Sequence, residues 1–85
     1  MATKLNFTKD GSQYVCELNP AVPITVHVQT VEKKDFTVYG FISPMKPVAL
    51  FASSIYDNII FQVDVPDGVT VRMVSQSAVI DAQMV

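Results

Sequence analysis

The chain has 85 residues, of which 49% are hydrophobic and 16% charged, with a net charge of −2. That length limits it to a single domain, residues 1–85, and so apolar a composition excludes a disordered chain. No apolar run approaches the ~20 residues of a bilayer-spanning helix, and six scattered cations set against eight acids leave no basic face for nucleic acid.

Valine, isoleucine and threonine supply 26 of the 85 residues. These β-branched types suit a pleated surface and lose rotamer freedom in a helix. Apolar residues recur at period two along most of the chain, which predicts strands.

The first predicted strand covers residues 3–8, with Leu5 and Phe7 on one face. Asp10-Gly11 then marks a tight hairpin, because glycine takes positive φ freely. The second strand, 13–18, places Tyr14, Cys16 and Leu18 together. Pro20 and Pro23 break pairing and predict a crossing loop or an irregular edge. The third strand alternates cleanly, with Ile24, Val26 and Val28 opposite Thr25, His27 and Gln29. Glu32-Lys33-Lys34-Asp35 reads as a charged turn.

The fourth strand, 36–43, is apolar on both faces. Phe36, Val38 and Ile42 share one face with Gly40, and Tyr39 and Phe41 lie on the other. Such a strand is either central between layers or covers another molecule. Residues 43–47 form a second proline-bracketed connection, also read as a crossing. A short strand at 48–52 and a loop at 53–58 follow. Ile59, Phe61, Val63 and Val65 then alternate inward. Pro66-Asp67-Gly68 predicts another hairpin, after which Val69, Val71 and Met73 continue the inward face. Gln76-Ser77 marks a turn or bulge, and 78–84 forms the last strand.

Seven to eight short strands separated by turn signals describe a small all-β antiparallel sandwich, or a barrel. The two proline-rich connections favour the sandwich. The predicted core draws on Leu5, Phe7, Val26, Val28, Val38, Phe61, Val63, Val71 and Met73.

Chemistry is thinly represented. His27 is the only histidine and lies on the polar face of its strand, with no Gly-x-Ser-x-Gly elbow to complete a nucleophilic relay. One His and one Cys cannot complete a zinc site. Cys16 has no neighbour in sequence that would lower its pKa, so it reads as a small buried hydrophobe. A lone cysteine makes no intrachain disulfide, which fits a reducing cytoplasm, and the polar N-terminal segment does not read as a secretory signal. No pair of carboxylates is singled out for glycoside hydrolysis, and no glycine-rich phosphate loop occurs. The residues therefore point to a protein that is not an enzyme and needs no cofactor.

The apolar excess is more informative. Tyr39, Phe41, Phe51, Tyr56 and Met45 exceed what one small core absorbs, and aromatic residues with Met are enriched at protein–protein interfaces. The alternative is that the second face of the fourth strand packs beneath a loop. Met84 and Val85 end an apolar last strand, which is either an inner strand or an edge open to a neighbour. The candidate interface is therefore Tyr39, Phe41, Phe51, Tyr56, Met84 and Val85.

The extended N-terminal hairpin, Pro23-Ile24-Thr25-Val26-His27-Val28-Gln29, the apolar strand pair and Val65-Pro66-Asp67-Gly68-Val69-Thr70-Val71-Arg72-Met73-Val74-Ser75 together form a pattern. It resembles small β-sandwich virion proteins of tailed bacteriophages, especially auxiliary or decoration proteins of the capsid. The resemblance implies a structural protein made in the host cytoplasm that binds the major capsid protein, or other virion proteins, and reinforces the lattice. Self-association into a homo-oligomer fits the same pattern. The alternative is a ligand- or carbohydrate-binding module of a fibre or host-attachment protein, for which solvent-facing aromatics would line a concave site beside polar groups.

Overall fold

The computed structural model describes residues 2–85, and for residues 52–56 it describes the backbone alone. The described chain is all-β and antiparallel. Its seven strands are β1 (Thr3–Lys4), β2 (Thr8–Asp10), β3 (Gln13–Leu18), β4 (Ile24–Phe41), β5 (Val48–Val63), β6 (Thr70–Ser75) and β7 (Val79–Met84). The path across the sheet is β1-β7-β4-β6-β3-β2, with β5 along the other side of β4.

Two strands are far longer than the short runs expected from sequence. β4 has 18 residues and β5 has 16. A straight strand of β4's length would reach about 60 Å, yet the molecule's longest dimension is 32 Å. β4 must therefore bend. It does so where its register shifts, between Gln29 and Lys34. Before the bend, residues 26–30 pair with β7; after it, residues 36–41 pair with β6. β5 follows β4 along both halves. The result is one continuous sheet curled on itself, in place of two separate sheets, with its halves facing each other across the core.

Glu32-Lys33-Lys34-Asp35 is thus the outside of a bent strand and not a turn. Residues 53–58 likewise belong to β5, so the predicted loop and its two flanking strands merge into one element. The proline signals also exchange roles. Residues 19–23 do cross, carrying the chain from β3 in one half to β4 in the other. The second proline link is a hairpin instead, since Gly40 and Val48 are directly paired. The third, Pro66-Asp67-Gly68, is not a hairpin, because β5 and β6 lie on opposite sides of β4. It turns the chain across from one half to the other, with the Val69 N–H donating to the Pro66 carbonyl. Proline and glycine mark where pairing stops; they do not say which strands lie on either side.

The core forms where the halves meet. Val26 and Val28 come from one half of β4, Phe36 and Val38 from the other. Val63, Val71, Met73, Ala82, Leu5, Cys16 and Ile24 complete it. Phe7 and Phe61, expected in the core, are half-buried at its margin. They join Phe36 and Phe51 in a run of aromatic contacts: Phe7–Phe36 at 6.4 Å, Phe36–Phe61 at 5.9 Å and Phe61–Phe51 at 5.9 Å between ring centroids.

Candidate functional site

No arrangement for catalysis comes together among the described residues. His27 is exposed, and its Nε2 lies 2.7 Å from the Asn58 side-chain oxygen. Cys16 is in the core, where burial, and then the Glu17 carboxylate, push its thiol above the ordinary value of 9.0. A thiol held protonated is a poor nucleophile. Among the described residues, no group of three or more His, Cys, Asp or Glu side chains is placed to hold a metal ion. Two serines buried among the described residues, Ser75 at the end of β6 and Ser77 in the turn that follows, are already occupied: Ser75 Oγ donates to the Ser77 carbonyl at 2.7 Å, and Ser77 Oγ accepts the Glu32 N–H at 2.9 Å.

The structure separates the interface candidates into three places. Tyr39 and Phe41 lie together on the outer face of β4, as their alternation against Phe36 and Val38 predicts. Arg72, opposite Tyr39 on β6, lays its guanidinium 5.0 Å from the centre of the Phe41 ring. Its Nε also donates to Glu17 across β3. Tyr39, Arg72 and Glu17 border a shallow groove of about 520 Å³ that also includes Asp10, Gln13 and Pro47. Phe51 lies elsewhere, at the edge of the aromatic run. Tyr56 lies outside the residues whose side chains are described. Met84 ends β7 and Val85 follows it; β7 is an inner strand between β1 and β4. Val85 and Thr25 exchange two backbone hydrogen bonds of 2.9 Å, so this terminal strand offers no open edge to β4's side.

A different apolar surface emerges at the β4–β5 hairpin. Val48 pairs with the inward-facing Gly40, and Phe51 pairs with the inward-facing Val38. Leu50 lies over Gly40, where even a methyl group would meet it at 3.0 Å. These three side chains therefore continue the core's inner layer, but the opposite half of the sheet does not reach them. Val48 is 68% exposed, Leu50 41% and Phe51 44%. Ile42 and Met45, in the loop that joins the strands, are exposed beside them. Sequence periodicity assigned Val48 to a strand correctly but carried the preceding strand past Phe41 over Ile42, which lies in the loop, and it could not tell that the inner layer outruns its cover.

Comparison of the chain with protein-family models, curated proteins and solved structures gave no match.

Proposed function

We propose that this chain is a non-enzymatic structural protein that docks on a protein lattice, as an auxiliary component of a virus capsid. The observation that carries this reading is the uncovered inner layer of the β4–β5 hairpin, where Val48, Leu50 and Phe51 continue the core without an opposing sheet. Water-exposed apolar area of this kind is stabilised when another protein covers it. A rigid small domain gains little from one such contact. Repeated across a lattice, many of them act together.

The test is to purify particles from cells that carry the gene and measure this chain's copy number by mass spectrometry. A copy number in fixed ratio to the major capsid protein is the expected result. The double variant Val48→Asp, Leu50→Asp should stay folded by circular dichroism and disappear from the particles. Particles without the wild-type chain, or with undiminished double variant, would overturn the proposal.

A second reading rests on the outer groove. Tyr39 there stands beside Asp10, Gln13, Glu17 and Arg72, which is the mixture a saccharide site uses. Titration with an oligosaccharide panel, followed by chemical-shift changes at Tyr39 and Arg72, decides it. Arg72 is already engaged by Glu17 and Phe41, which weighs toward the lattice reading.

A further inference from the structure

The edges of the curled sheet are guarded unequally. β1 has two residues and carries Lys4; β2 has three and carries Lys9. Short, charged edges of this kind discourage pairing with another chain. β5, the strand along the other side of the sheet, has 16 residues with no Lys, Arg or Pro. Its one charged residue is Asp57.

The direction of β5's backbone groups follows from the ladder. Thr25 turns its N–H and C=O toward Val85, the residue that follows β7. Successive residues of an antiparallel strand turn them to alternate sides, so Val26 addresses its β5 partner, Phe61. Ile59, Phe61 and Val63 then bond back into β4, while Asn58, Ile60 and Gln62 direct theirs away from the sheet. Ile60 is also 66% exposed.

We infer that residues 57–63 form a self-pairing edge, on which a second copy of this chain docks antiparallel about a twofold axis at Ile60. The segment matches itself in that register. Ile60 meets the partner's Ile60, and Asn58 meets the partner's Gln62, amide against amide. On the inner face Ile59 meets the partner's Phe61, and both of these are only half-buried in the single chain. Asp57 falls opposite the partner's Val63, so the strand's one charge does not face its own copy. The backbone parity agrees, since the three residues with outward groups are the ones this register makes into hydrogen-bonded pairs. A surface that pairs with itself in this way closes as a dimer and does not propagate. This surface is distinct from the hairpin end proposed for lattice docking.

The test is the molar mass of the full chain by light scattering behind a sizing column, across a dilution series. The expected mass is twice the 9.4 kDa of one chain. Ile60→Lys places two cations opposite each other and should give a monomer with an unchanged circular dichroism spectrum. Val48→Asp, Leu50→Asp should remain dimeric, which separates this edge from the lattice surface. A second measurement fixes the register. Two hydrogen-bonded partners stand about 5.5 Å apart between Cα atoms, within disulfide reach, so Ile60→Cys should cross-link under mild oxidation. Asn58→Cys should not, because its two copies are offset by about 14 Å along the strands. A monomeric wild type, a dimeric Ile60→Lys, or equal cross-linking of the two cysteine variants would overturn the inference.

Discussion

Gly11 and Gly68 have φ of +62° and +92°, the region that side chains with a Cβ avoid. Nothing lies within 4 Å of a Cβ built at either position, so the penalty of substitution is backbone strain and not a clash. Gly11→Ala should therefore lose about 1 kcal/mol, and Gly11→Asn less, because asparagine tolerates the left-handed region; urea midpoints of the two variants check this. Both Asp-Gly turns were legible from sequence for the same reason, since a turn requirement of this kind is local. Met73, fully buried between the halves, belongs to the opposite class. Met73→Ala should cost about 3 kcal/mol through lost burial and the cavity left behind, a large share of what so small a domain has. Cys16 adds a pH dependence with a definite sign. Its folded pKa is raised above 9.0, so the folded state holds the proton more tightly. That contribution is intact below pH 9.0 and is lost as pH rises from there through the folded value. Wild type should thus lose its stability advantage over Cys16→Ala in alkaline urea titrations, and the native thiol should resist alkylation at neutral pH.

The bend of β4 is the decisive element, and the turn between β6 and β7 fills it. β6 and β7 run one after the other along the same side of β4, and residues 76–78 between them face the shifted register of 30–34. The Val31 N–H donates to the Ala78 carbonyl at 2.9 Å, and the Gln76 N–H donates to the Asp35 carbonyl at 3.0 Å. Ser77 Oγ takes the Glu32 N–H and donates to the Ala78 carbonyl at 3.1 Å. Ser77→Ala strands that N–H in a site where Ser77 itself is buried, and should cost about 1–3 kcal/mol; faster hydrogen exchange at Glu32 would locate the loss. In the sequence, 32–35 looks like a turn because four charged residues in a row interrupt the apolar alternation, and in the strand all four are exposed. A bulged strand bent over a core exposes its convex side in the same way, and only the partner strands distinguish the two. The Gln76-Ser77 signal for a turn or bulge was correct in kind. Its role in shaping β4, 45 residues away, has no local signature.

At the scale of the whole molecule, three links hold the curl closed: residues 5–7, 19–23 and 64–69 each carry the chain from one half to the other. The end of β7 helps to hold one of those halves together. Met84 pairs with Thr3 and Val26 and packs against the core, and Val85 bonds to Thr25. Removing Met84 and Val85 should therefore lower stability by about 2 kcal/mol, mainly from lost apolar burial, with a lower thermal midpoint as the readout.

The all-β class, both glycine turns and most of the core were determined by the sequence itself, because each depends on residue type and on period-two alternation along a short stretch. That β4 and β5 are single bent strands, that the Pro66-Asp67-Gly68 turn crosses the molecule, and that the hairpin's inner layer has no cover emerge only once distant strands have come together. Those outcomes depend on which distant strand lies alongside, and alternation is the same whether the facing layer is present or absent. The candidate surface was legible to the same degree. Tyr39 and Phe41 were placed correctly on the outer face by parity alone. The exposure of Val48, Leu50 and Phe51 follows from where the opposite half of the sheet stops, and that is a property of the folded chain.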